Sequence, residues 1–197
     1  MNSQSVAKRA TRGLWVWPIA ILVGFPVGGG VASLVVGGVD SMLAALVAGL
    51  IAGLIVGAAE WFALRRWVSW LWIPATCVGM AIGLTAGSGL VEYGIGRADL
   101  AIMGAITGLG VGALQAVVLM RAGHPRTDAF LWAAAMPAVW TLGWFVTSYV
   151  IAANIDDRFP VFGASGAVVF GLLTWLLLAI LIRRKPEVAT ITRATAR

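Results

Sequence analysis

The chain has 197 residues, of which 60% are hydrophobic and 11% charged, and its mean hydropathy is +0.94. A water-soluble domain of this size cannot hide that much apolar surface, so the composition excludes one. The net charge of +6 would suit a nucleic-acid binder, but the basic residues are placed by topology rather than gathered into a patch, as their positions along the chain make plain.

A helix that crosses a bilayer takes about 20 mostly apolar residues. Six stretches qualify, at about 14–36, 42–64, 68–91, 99–120, 129–153 and 161–182. Residues 1–13 are polar and basic (Lys8, Arg9, Arg12) and form a cytoplasmic N-terminal segment. The apolar run that follows is too long for a signal peptide, and its cleavage-like triplet Val31-Ala32-Ser33 lies deep inside it. The first helix is expected to be retained. It carries Trp17, Pro18 and Pro26. The second carries Gly49, Gly53 and Gly57, then Glu60. The third opens near Trp72 and Pro74 and contains Cys77, the single cysteine, read as a small apolar residue. The fourth has Gly104, Gly108, Gly112 and Gln115; the turn His124-Pro125-Arg126 leads to the fifth, with Trp132 and Pro137. Asp156 and Asp157 lie in the next loop, and the sixth helix carries Gly163, Ala167, Gly171 and Thr174. Residues 185–197 are a threonine-rich polar tail of disordered composition.

Laid against itself at a shift of 55, the chain superimposes Trp17, Gly24 and Gly28 on Trp72, Gly79 and Gly83, and Gly49, Gly53 and Gly57 on Gly104, Gly108 and Gly112. A looser third copy follows. The expectation is therefore an all-α integral membrane protein whose membrane domain, 14–184, consists of three tandem helical hairpins at about 14–66, 68–121 and 129–184. With the N-terminus in the cytoplasm, twelve of the fourteen Lys and Arg residues are cytoplasmic, and only Arg97 and Arg158 lie opposite. That bias is the positive-inside rule, so both termini are expected in the cytoplasm of a bacterial inner-membrane protein, with anionic lipid headgroups rather than nucleic acid as partners of the basic face.

The even-numbered helices each carry small residues at every fourth position: Gly49, Gly53 and Gly57; Gly104, Gly108 and Gly112; Gly163, Ala167 and Gly171. In lipid, helix association rests on close packing, and such spacing lets two backbones approach, so each is expected to pack on the odd helix of its own hairpin or the next. Six of the ten tryptophans (Trp15, Trp17, Trp67, Trp70, Trp72 and Trp132) fall near the cytoplasmic ends of odd helices or in the loops before them, where an aromatic belt belongs. Trp61, Trp140, Trp144 and Trp175 lie deeper.

One polar position recurs. Three residues past the last small residue of each even helix come Glu60, Gln115 and Thr174, on the same helical face as the small residues. Glu60 is five residues before Arg65, roughly 8 Å along the axis at about 1.5 Å per residue. As an ionisable residue in a span it is a functional candidate. One reading makes the three an intramembrane polar cluster lining a pathway; the other makes them interhelical hydrogen-bonding groups, with Glu60 neutralised by Arg65 or Arg66.

The run Gly53-Leu-Ile-Val-Gly57-Ala-Ala-Glu60-Trp61-Phe-Ala-Leu64-Arg65-Arg66 resembles a pattern of uncharacterised bacterial multi-span membrane proteins, whose hairpins carry Gly-x-x-x-Gly-x-x-Gln-Trp-x-x-Leu-Arg before a Trp-led helix. The chain departs from that pattern at Glu60, where Gln is usual, and at Ala116, where Trp would stand. The resemblance implies a six-helix membrane protein and implies no activity.

Enzyme readings fail on the residues. Gly163-Ala164-Ser165-Gly166 is similar to the nucleophile segment of rhomboid intramembrane proteases, but the base would have to be the single histidine, His124, which the topology puts across the membrane. One His and one Cys make no metal cluster of ordinary spacing, and no phosphate-cradling loop is present. No catalytic site, metal or cofactor is expected. The leading expectation is a structural or accessory subunit of a larger membrane assembly, or a homo-oligomer; the alternative is a small transporter or channel, or a solute-binding membrane subunit of an uptake system, using Glu60, Gln115 and Thr174.

Overall fold

The computed structural model describes residues 14–150 and 164–183. These form six helices, with no strand among the described residues: α1 Val16–Val36, α2 Met42–Leu64, α3 Trp72–Leu90, α4 Arg97–Arg121, α5 Arg126–Val150 and α6 Ala164–Arg183. The first five are long and apolar enough to cross a membrane, and the apolar stretch of α6, Ser165–Leu181, is shorter. Gly163, Asp156, Asp157, Arg158 and both terminal segments lie outside the described residues.

Local chemistry sets the helix ends. Ser41, extended, caps α2 by accepting a hydrogen bond from the Ala44 N–H at 3.3 Å. At α4 the Asp99 carboxylate, three residues inside, accepts from the Gly96 N–H at 3.1 Å, and its charge suits a helix N-terminus. The third helix starts at Trp72 rather than at 68. The Leu64 carbonyl draws back the N–H groups of both Trp67 and Val68, which folds 65–71 into turns, and Pro74 then falls in the first turn, where its missing N–H does no harm.

Each helix makes its main contacts with its neighbours in sequence, and α6 packs against α1, so the six close into a cycle. Ring contacts between Trp17 of α1 and Trp132 of α5, and between Trp72 of α3 and Trp132, join helices that are not neighbours in that cycle. The odd-numbered helices therefore meet across the middle of the bundle.

The glycines set the spacing of these contacts. A Cβ at Gly49, Gly53 or Gly57 would lie 2.6, 2.7 or 2.9 Å from the backbone of Ala81, Cys77 or Ile73 in α3. At Gly104, Gly108 and Gly112 it would meet Trp144, Met136 and again Met136 in α5 at 2.5–2.7 Å. At Gly171 it would reach Ile21 and Pro18 of α1. Of the two partners expected for an even helix, these residues face the odd helix that follows in sequence or, for α6, the one that closes the cycle. Ala167 is fully buried. Gly79 and Gly83 of α3 face α4 in turn, through Val111 and Thr107.

Candidate functional site

Toward the end of the bundle where α2, α4 and α6 finish, six inward-facing residues make one layer. Trp17, Trp72 and Trp132 are each 0% exposed. They lie at the N-terminal ends of α1, α3 and α5, and each donates its indole N–H to the polar residue of an even helix. Trp72 Nε1 reaches Glu60 Oε2 at 2.9 Å, Trp132 Nε1 reaches Gln115 Oε1 at 2.9 Å, and Trp17 Nε1 reaches Thr174 Oγ1 at 2.7 Å.

This corrects the expectation that these three tryptophans stand in a headgroup belt. Their height along the helices is that of a belt, but they point at the bundle axis, where Trp132 lies 6.3 Å from Trp17 and 5.8 Å from Trp72 between ring centroids, edge to face. An indole N–H buried among hydrocarbon has to find an acceptor, and the even helices supply one each. Trp15 and Trp70, by contrast, are exposed. Of the deeper group, Trp140 and Trp144 are buried in the core, and Trp140 packs with Phe25 and Phe170 at 5.4 and 5.5 Å. Trp175 stacks on Trp15 at 4.9 Å.

Glu60, 1% exposed, is the centre of the layer. Its Oε2 accepts from Trp72 Nε1, Thr76 Oγ1 and Gln115 Nε2, each at 2.9 Å. Gln115 Nε2 also donates to Thr76 Oγ1 at 2.8 Å. The direction of every bond is fixed. An indole can only donate, so Gln115 must offer its carbonyl to Trp132 and its NH2 to Glu60 and Thr76; Thr76, having accepted, sends its own proton on to Glu60.

The structure thus brings Glu60 and Gln115 together and sets Thr174 apart from both. Thr174 shares its layer but is bonded to Trp17 and, as donor, to the Phe170 carbonyl at 2.6 Å. Arg65 does not neutralise Glu60: its Nη1 donates to the Phe62 carbonyl at 2.6 Å while the guanidinium lies over the Phe62 ring. Arg66 is exposed. Thr76 was missing from the sequence reading, although it follows Trp72 by one turn on the same face.

The remaining candidates fall elsewhere. Ser165 opens α6, whereas His124 shares a cavity with Leu178 and Leu181 near the other end of that helix. Leu178 is thirteen residues beyond Ser165, about 20 Å at about 1.5 Å per residue. Among the described residues no three of His, Cys, Asp and Glu come together as a metal site. Comparisons with protein-family models, curated proteins and solved structures find no match to the chain.

Proposed function

We propose that the chain is a non-enzymatic integral protein of a bacterial inner membrane, acting as a structural or accessory subunit of a larger membrane assembly. In this reading three tandem hairpins of the Gly-x-x-x-Gly-x-x-Gln/Glu-Trp-x-x-Leu-Arg kind close into a ring, with small-residue stripes as the close contacts and both termini cytoplasmic. The observation that carries it is the use made of the polar trio: Glu60, Gln115 and Thr174 each hold the N–H of a tryptophan that fills the bundle axis. A pathway would need those groups turned to water or to a solute. Here their bonds go to Trp72, Trp132 and Trp17, and two of the three tryptophans pack on the third across the axis.

The outer face supports the assembly part of the reading. Leu34, Leu43 and Phe130 are at least two-thirds exposed, and many other apolar side chains around the bundle, such as Val23, Leu54 and Ile82, are more than half exposed, a surface suited to lipid or to other spanning helices.

The deciding experiment is purification from the native host in a mild detergent, with mass spectrometry of whatever accompanies the chain. Stoichiometric membrane proteins are the expected result. A monomer or homo-oligomer without companions, together with an ion or solute flux in proteoliposomes that Glu60→Gln abolishes, would replace this reading with the transporter.

A further inference from the structure

One turn beyond the polar layer, at the end of the bundle where α2, α4 and α6 finish, lies a cavity of about 30 Å³, room for about two water molecules. Leu64, Leu119 and Leu178 follow Glu60, Gln115 and Thr174 by four residues each and wall it together with Leu181; its polar residues are His124 and Asp128. The mouth is held in shape. His124 Nε2 donates to the Trp67 carbonyl at 3.3 Å, which pins the turn before α5 to the turn before α3.

The rim has a different character from the walls. Arg65 and Arg66 directly follow Leu64, Arg121 is two residues past Leu119, and Arg126 is two residues before Asp128; all four arginines are exposed. Among the described residues this end carries no exposed carboxylate. Glu60 and Asp128 are buried, and Asp40, Glu92 and Asp99 belong to the opposite end.

Hydrocarbon walls favour an apolar occupant, and a basic rim favours anionic surroundings. A phospholipid meets only the second condition. Its phosphate suits the arginines, but its acyl chains run along the outside of the helices toward the bilayer centre, whereas the cavity lies among their inward faces.

We propose that this mouth is a docking site for an acidic segment of a partner protein, which seats one valine-sized side chain in the cavity and lays its carboxylates on the arginines. A methyl group is about as large as a water molecule, so the two branches of a valine fill the space. A leucine or an aromatic ring exceeds it. The pinned turns keep the mouth shaped before the partner arrives, which lowers the ordering cost of binding. This role rests on the assembly reading above and names the surface that would engage another subunit.

The test uses the full chain in phosphatidylcholine nanodiscs, titrated against fluorescein-labelled Asp-Glu-Val-Glu-Asp and followed by fluorescence anisotropy. Asp-Glu-Gly-Glu-Asp, with the same charge, is the comparison. The valine peptide should bind saturably and the glycine peptide about tenfold more weakly, the effect of leaving two methyl groups out of the cavity. Leu181→Phe, which fills the cavity, should bring the valine peptide down to the glycine level, and Arg66→Gln with Arg126→Gln should weaken both. The comparison of peptides needs no variant, so it decides alone if Leu181→Phe does not fold. No binding, or equal binding of the two peptides, overturns the proposal. So does a preference for valine that disappears in phosphatidylglycerol nanodiscs, since lipid headgroups then fill the mouth. Companions that leave the native host with the doubly substituted chain as readily as with the wild type would overturn this surface and leave the assembly reading standing. A wild type without companions would remove both.

Discussion

Trp132 Nε1 lies 2.9 Å from Gln115 Oε1, and that single contact sets the polarity of everything beyond it. An indole has a proton to give and nothing to accept with, so the amide of Gln115 is held with its NH2 toward Glu60 and Thr76. Replacing Trp132 with Phe removes ring volume and strands the Gln115 carbonyl in the core. Replacing Trp17 with Phe removes the same volume, but Thr174 keeps its bond to the Phe170 carbonyl. Trp132→Phe is therefore expected to be the more destabilising of the two by about 1–3 kcal/mol, the penalty of one buried unsatisfied group. Thermal unfolding of both variants in the same detergent checks it; equal melting temperatures would contradict the wiring.

Glu60 separates two substitutions that a hydrophobicity scale would rank the other way. Glu60→Gln keeps an oxygen that can take all three donors, so its effect on stability is expected to be about 1 kcal/mol or less. Glu60→Leu suits hydrocarbon better but leaves the Trp72 N–H, the Thr76 hydroxyl and the Gln115 amide without their acceptor. At about 1–3 kcal/mol for each stranded donor, and about 2–4 °C per kcal/mol for a chain of this size, Glu60→Leu should lower the melting temperature by roughly 6 °C or more. A Leu variant as stable as the wild type would show that the layer contributes nothing to the fold.

The glycine contacts make a graded prediction. A Cβ at Gly53 would meet the Cys77 Cα at 2.7 Å, and a main chain held between two helices yields poorly. At Gly30, in α1, the same atom would meet nothing within 4 Å. Gly53→Ala should cost about 1–3 kcal/mol through overpacking, while Gly30→Ala should stabilise α1 by about 0.5–1 kcal/mol, since an interior helical glycine is the more flexible in the unfolded chain. The pair is measured by thermal unfolding, and equal signs would mean that α2 and α3 are further apart than described.

Much of this was legible in the sequence. Five long apolar helices follow from hydropathy, and spacing alone put Glu60, Gln115 and Thr174 on the faces of their small residues. What the sequence concealed was which way the tryptophans point. In a soluble helix, Trp17, Ile21 and Phe25 would announce a buried face by contrast with the polar residues between them. In α1 the intervening residues are apolar too, because lipid replaces water, so the periodic signal vanishes and only height along the helix can be read. The closing of α6 on α1 was hidden for a related reason, since contact between the first and last helix leaves no local trace.

Closure of the ring is open to a direct chemical test at the α1–α6 seam. A Cβ at Gly171 would lie 3.5 Å from that of Ile21, at the short end of the range a disulfide spans. With Cys77 replaced by Ala to remove the free thiol, the double variant Ile21→Cys, Gly171→Cys should cross-link on mild oxidation in membranes. The bond joins residues 150 positions apart, so the oxidised chain should run as a more compact band under denaturing, non-reducing electrophoresis and revert with reductant. Moving one cysteine to Leu172, which is half-exposed on the outside of α6, should abolish the intramolecular band. Because Ile21 and Gly171 stand at opposite ends of the chain's helical order, a cross-link between them requires that α1 and α6 be neighbours, and its absence would open the ring.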